Sequence, residues 1–226
     1  MCAFFSLGLM LSAHAQGTDL PVSQAQQQAF SPDDVIESLM AGNGRFVGGQ
    51  PIQRDITARI AASASGQHPK AVILSCLDSR VPVEKVFDVS IGDVFVGRVA
   101  GNIVNEDQLG SMEFATKLAG AKLVMVLGHS ECGAVKGAID GARLGNLTAL
   151  LAKIQPAIQS VEGFPSTQRN SANAAFVQEV IGQNVREMIR KIRERSEVLA
   201  DLEEAGQIKI VGALYDLHSG RVSLIE

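Results

Sequence analysis

The chain has 226 residues and contains no tryptophan, a single tyrosine and only three cysteines. It has no block of Lys and Arg and no interleaving of basic with aromatic residues, and its formal net charge is −4. Phosphate backbones are bound by clustered cations, so nucleic acid is excluded as an expected partner. No segment reaches the roughly 20 consecutive apolar residues that cross a bilayer, so no membrane span is expected. No internal repeat is evident. The glycines at 92, 97 and 101 are not followed by Lys-Ser or Lys-Thr and interrupt a strand-like run, which excludes a phosphate loop. What is present is ordinary globular material, 46% hydrophobic and 19% charged. That is enough for one sizeable core, and the length suits a single substantial domain.

The first thirty residues read differently from the rest. Ala3 to Ala13 is apolar, and Ala13-His14-Ala15 before Gln16 has the small-x-small form of a signal-peptidase site, although no Lys or Arg precedes the apolar run. An export signal is expected over 1–15, placing the mature protein in the periplasm or outside the cell. The alternative is a buried or frayed N-terminus and a cytoplasmic location. Cys2 lies within that first piece, and no lipobox surrounds it. The polar, Gln-rich stretch 16–30 is expected to be a disordered lead-in to a single catalytic domain over 31–226.

Within that domain, Ser31-Pro32-Asp33-Asp34 is a helix start: a Ser cap, Pro in the first turn, and acids at the positive end of the dipole. A second helical candidate covers 52–64. Ala71-Val72-Ile73-Leu74, Val94-Phe95-Val96, Leu123–Leu127 and Ile208–Leu214 are short, continuous apolar runs, as expected of strands buried on both faces. Arg221 to Ile225 reads as an antiparallel partner of the last, reached through Ser219-Gly220. Helical stretches are expected at 107–119, 133–140, 147–160 and 174–195. The last carries Val177, Val180, Ile181, Val185, Met188, Ile189 and Ile192 on one stripe. Strands alternating with helices predict an α/β fold with a mostly parallel central sheet flanked by helices, preceded by an N-terminal helical arm.

Two pieces carry chemistry. Cys76-Leu77-Asp78-Ser79-Arg80 follows one predicted strand, and His129-Ser130-Glu131-Cys132-Gly133 follows another. Ligands gather beyond the carboxyl ends of parallel strands, so the two pieces are expected on one rim. Two thiolates and an imidazole select zinc among common metals, and three protein ligands leave a fourth position open, as in catalytic sites. A disulfide between Cys76 and Cys132 would explain none of the neighbouring residues, and 56 positions of separation are not Cys-x-x-Cys redox spacing. The extra candidates for a fourth ligand are His68, in a turn before the first strand, His218, in the last hairpin, or a carboxylate.

These pieces resemble the two signatures of the β-class carbonic anhydrases. Val81-Pro82-Val83-Glu84, Gly92–Arg98, Ala100-Gly101-Asn102, Ser111–Ala115 and Val211–Asp216 match in the same order, so the resemblance covers about residues 31–226. It implies one zinc ion per chain held by Cys76, His129 and Cys132, with water or hydroxide as fourth ligand. Asp78 would orient that hydroxide and Arg80 would hold Asp78. Gln67, Phe95, Ala100, Phe114 and the backbone of Gly133 would line the substrate side. In the family the site is built at a dimer interface with a helical arm crossing to the partner, for which 31–47 would serve, so a homodimer or homotetramer is expected. The bicarbonate-regulated members share a Trp-containing pocket. This chain has no Trp and carries Phe46 near the expected place, so that regulation is expected to be absent.

The expected activity is reversible hydration of carbon dioxide to bicarbonate and a proton. Hydrolysis of carbon disulfide or carbonyl sulfide, and a zinc-binding regulatory module without catalysis, are the alternatives. His218 and Tyr215 are candidate proton relays.

Overall fold

The computed structural model describes residues 20–225. The stretch expected as a signal peptide lies outside them. The lead-in is not uniformly irregular, because Gln24–Ala29 forms a helix, α1. Ser23 caps it in a reciprocal capping box with Gln26, and Gln27 is buried. The Gln27 amide donates to Pro69 O at 2.8 Å and Ala119 O at 2.7 Å, which pins this glutamine-rich piece to the domain.

Pro32–Val47 is α2, opened by a second capping box in which the Asp34 N–H donates to Ser31 Oγ at 3.2 Å. Gly42 and Gly44 do not end the helix. A Cβ at Gly42 would lie 1.9 Å from the Phe87 carbonyl oxygen, so glycine is what permits the helix to touch the neighbouring backbone. Asn43, also buried, donates to Val86 O and Gly220 O and accepts from the Val222 N–H, tying α2 to two later segments. Val35 and Leu39 are fully buried against the chain's own sheet. The helix expected to cross to a partner thus packs on its own protomer. Its apolar stripe matches its own sheet, and the Gly42 contact brings it close.

The chain continues through α3 (Ile56–Ser63), β1 (Ala71–Ser75), α4 (Val83–Val86), β2 (Val94–Arg98), α5 (Glu106–Glu113) with a wider π-type turn at Phe114–Leu118, and β3 (Leu123–His129). Then come α6 (Gly133–Ile139), α7 (Gly145–Ala152), α8 (Gln155–Ser160), α9 (Ala174–Arg195), α10 (Glu197–Glu204), β4 (Lys209–Tyr215) and β5 (Val222–Ile225). The stretch 147–160 is two helices rather than one. Pro156 supplies no N–H and sits in the first turn of α8, so the helical hydrogen bonds restart there.

The strand order is β2-β1-β3-β4-β5, the first four parallel and β5 antiparallel. Both faces of the sheet are buried. Val72, Leu74, Val124 and Val126 point into a cluster with the α9 stripe, and Ala71, Ile73, Leu123, Met125 and Leu127 point the other way, toward α2 and α4. That two-sided burial is why the central strands read as unbroken apolar runs rather than alternating ones. Among the described residues, no helix is long and apolar enough to cross a membrane.

Candidate active site

β1 and β3 are neighbours in register, Ser75 opposite Leu127, so the residues that follow them emerge on the same rim. Cys76 leaves β1 directly, and His129 is the last residue of β3. The next step needs a sharp reversal. Ser130 extends the ladder by donating its N–H to Tyr215 O at 3.0 Å, and Glu131 then takes φ 58°, a left-handed conformation that non-glycine residues seldom adopt. Lys136 pairs with the Glu131 carboxylate. The reversal delivers Cys132 beside His129 at the start of α6.

The ligating atoms of Cys76, His129 and Cys132 all lie within 4.8 Å of one another, and all three residues are buried. The two sulfurs are 3.9 Å apart, against about 3.8 Å for two thiolates on one tetrahedral zinc with Zn–S bonds near 2.3 Å. His129 Nδ1 lies 2.8 Å from Ser130 O, which places the ring proton on that nitrogen and leaves the Nε2 lone pair bare. Nε2 is buried and has no hydrogen-bond partner among the described residues. A buried ring nitrogen without a partner, aimed at two thiols, is what a soft dication would satisfy. The donor set fits zinc.

Ionisation of the thiols points the same way. The hydrogen bond with Cys132 holds the Cys76 thiol well below the usual thiol range despite burial, helped by the Gly101 N–H. Cys132 moves up, through that same hydrogen bond and burial. Without metal the pair keeps one proton, and a dication must release it.

Asp78 Oδ2 is 3.9 Å from His129 Nε2. Arg80 grips this carboxylate bidentately, Nε to Oδ1 at 2.9 Å and Nη2 to Oδ2 at 2.7 Å, and the Arg80 backbone N–H donates to Oδ1 at 2.9 Å. Those Arg80 hydrogen bonds pull the Asp78 pKa down to about 2. Asp78 is therefore a fixed anion across the neutral range, able to accept hydrogen bonds and unable to donate them.

Two supporting residues escaped the sequence reading. Arg98, at the end of β2, donates from Nε to Cys76 O at 3.1 Å and from Nη2 to Asp78 O at 2.5 Å, clamping the loop that carries both residues. Asn184, 1% exposed, donates to Gly101 O at 2.9 Å, and the Gly101 N–H donates to Cys76 Sγ at 3.3 Å. Gly101 sits at φ 72°, so the turn that aims this N–H suits glycine. Asn184 stood in plain view as a polar interruption of the apolar α9 stripe. Arg98 left no such mark, because a terminal strand arginine looks like solvent-exposed charge.

Ala100 adjoins Gly101 and so lies beside Cys76. Gly133 opens α6 with space around it, since a Cβ there would meet no atom within 4 Å. The other expected lining residues are not gathered here by one chain. Phe95 and Phe114 meet edge-to-face, 6.1 Å between centroids, in a groove along the free edge of the sheet with Val72, Leu74 and Met112. Phe114 is half-exposed. Gln67 lies before the amino end of β1, lining a surface cavity with Gln27, His68 and Lys122. The length of β1, about 3.3 Å per residue, separates it from Cys76. His218 occupies the β4–β5 turn, which docks on the His129 loop through the Leu217 N–H to Ser130 Oγ at 2.9 Å. Burial pushes the Tyr215 hydroxyl up from its usual range.

Comparison with known proteins bears on this geometry. A family model described as carbonic anhydrase matches residues 71–222. The carbonic anhydrase of Mycolicibacterium smegmatis is 35% identical over 200 residues, covering 86% of this chain and 93% of that protein. Carbonic anhydrase 2 of Mycobacterium tuberculosis is 35% identical over 197 residues, with the same coverage of each. Among solved structures, the β-carbonic anhydrase CafA of Aspergillus fumigatus superposes with a TM-score of 0.63 at 27% identity, covering 74% of this chain and 80% of that one. With its zinc-type donor set and its parallel sheet in agreement with these relatives, the chain belongs to the carbonic anhydrase family, in the β class.

Proposed function

We propose that this chain hydrates carbon dioxide reversibly to bicarbonate and a proton, with zinc on Cys76, His129 and Cys132. The observation that carries the mechanism is a bare His129 Nε2 between two thiols, with an Arg-held carboxylate 3.9 Å away. Zinc, when bound, lets water ionise near neutral pH, the established property of carbonic anhydrases. Asp78 accepts a hydrogen bond from the O–H of the attacking oxygen and so turns its lone pair toward the substrate carbon. Arg80 keeps Asp78 charged and aimed, and Arg98 holds the loop on which both depend.

Two thiolates offset more of a dication's charge than neutral imidazoles do, so activity should lie toward alkaline pH. A sulfur-compound hydrolase and a purely regulatory module are not favoured. The family match speaks for the first reading, and metal holding alone has no use for the Asp78–Arg80 pair.

Gln67, Phe95 and Phe114 are proposed to reach the substrate side from a second copy of the chain, in a homodimer or homotetramer. Supporting this, they lie away from the triad within one protomer, and Phe114 is half-exposed beside a groove on the sheet's free edge. The test is stopped-flow carbon dioxide hydration from about pH 6.5 to 9, with zinc content and sedimentation mass on the same sample. Activity rising with pH at about one zinc per chain, in an oligomer, is the expected result. Full zinc with no activity at any pH would sink the reading.

An exported mature protein is also proposed, on the strength of the apolar 3–13 run and the Ala13-His14-Ala15 site. The intact mass of the chain expressed in a bacterial host should place the mature start at Gln16. An unprocessed chain confined to the cytosol would overturn it.

A further inference from the structure

The buried side of α9 carries an amide among its apolar side chains. The Oδ1 of Asn184 is buried and has no hydrogen-bond partner among the described residues. A buried amide with one end unpaired is costly, and an apolar side chain of the same branched shape would avoid that cost. What Asn184 contributes against it is the hydrogen bond from Nδ2 to Gly101 O, at 2.9 Å.

That bond falls on the residue that touches a metal ligand. Gly101 has φ 72° and ψ 16°, and its N–H donates to Cys76 Sγ at 3.3 Å. Gripping the carbonyl fixes the turn, and the turn fixes the direction of the N–H. One helical turn along the same face of α9, Met188 Sδ accepts the Val104 N–H at 3.1 Å, so the helix holds the segment 101–104 at two points. Val185, next to Asn184, meets the other ligand-bearing piece. A Cβ at Gly128, the residue before His129, would lie 2.7 Å from Val185 Cγ2. α9 is thus a common reference for His129, through β3, and for Cys76, through Gly101. Arg98 holds the Cys76 loop by its carbonyls, whereas Asn184 acts on the sulfur's own donor.

A hydrogen bond to a thiolate draws off charge that the sulfur would otherwise give to a bound cation. Two thiolates offset much of a dication's charge, and an N–H on one of them returns part of it.

We propose that Asn184 is a positioning residue for the hydration reaction: by holding Gly101 it sets the N–H···S bond that limits how much charge the Cys76 thiolate gives to the metal. This rests on the zinc ligands assigned under the proposed function.

The experiment replaces zinc with cobalt(II) in the full chain and reads the sulfur-to-cobalt charge-transfer band, with zinc affinity measured by competition against a chromophoric chelator. Asn184→Leu keeps the branched shape and removes the donor. Its band is expected at longer wavelength than in the wild type, because a sulfur freed of its hydrogen bond gives up electrons more readily. Its zinc affinity should fall about tenfold to a hundredfold. Asn184→Ser, too short to reach Gly101 O, should shift the band in the same direction, and it decides the matter if Asn184→Leu does not fold. Met188→Leu disturbs the same helix face without touching Gly101 and should leave the band in place. An unshifted band at position 184, or an equal shift in Met188→Leu, would overturn the proposal while leaving the zinc ligands standing. A wild type that takes up cobalt without any thiolate band would overturn the ligand assignment, and this proposal with it.

Discussion

Cys132→Ser is expected to lose zinc and carbon dioxide hydration together. Cys132 is 2% exposed and its sulfur lies 3.9 Å from that of Cys76, so it is one of the two thiolates of the buried donor set. A serine hydroxyl is harder than a thiolate and does not ionise at neutral pH, leaving one thiolate and one imidazole for a dication that needs at least three protein ligands. Zinc content should fall from about one per chain to a small fraction, and hydration to the uncatalysed rate. Metal that binds only the folded state also stabilises it. The wild type should therefore lose thermal stability when a chelator is added, whereas Cys132→Ser should be indifferent to it. A serine variant that retained full zinc would break the ligand assignment.

The second large effect is expected at Asp78, where metal and turnover should separate. Asp78→Ala leaves the three ligands and the His129 tautomer untouched, so zinc should stay at about one per chain. The lost acceptor orients the attacking oxygen, and positioned proton-accepting groups of this kind contribute about a hundredfold to ten-thousandfold. Hydration should fall within that range. Asp78→Asn is the sharper probe, because it keeps the shape while replacing the charge that Arg80 grips through two hydrogen bonds. Since Asp78 is held at about 2, the wild-type rise in activity with pH cannot be its titration. That rise should survive in the residual activity of Asp78→Asn. An Asp78→Ala enzyme of wild-type speed would remove the residue from the mechanism.

Most of this was legible from residue type and order. Buried strands betray themselves as short unbroken apolar runs, and a ligand directly after such a run is placed by the parallel topology itself. Residue order alone therefore puts Cys76 and His129 on one rim. The α9 stripe was equally plain, since all seven of its expected apolar positions are buried.

The misses have physical causes. Glutamine-rich composition concealed α1, whose order comes from one capping box and from an amide wedged between two carbonyls distant in sequence. Pro156 divides a stretch whose apolar spacing alone suggested one helix. The approach of α2 to the Phe87 carbonyl at Gly42 was not legible either, because no periodicity encodes a backbone-to-backbone contact. Arg98 and Asn184 act through carbonyl oxygens, and a carbonyl has no signature in a sequence.

The pairing of β1 with β3 bears on how the protein is made. Of the three ligands, His129 and Cys132 are near neighbours in the chain, while Cys76 joins them only once Ser75 lies opposite Leu127. A slip of one residue would displace Cys76 by about 3.3 Å and turn every side chain of β1 to the other face. The ion's binding energy thus accrues only to the correctly paired sheet. Bound to this triad, zinc would favour the aligned register over a slipped one.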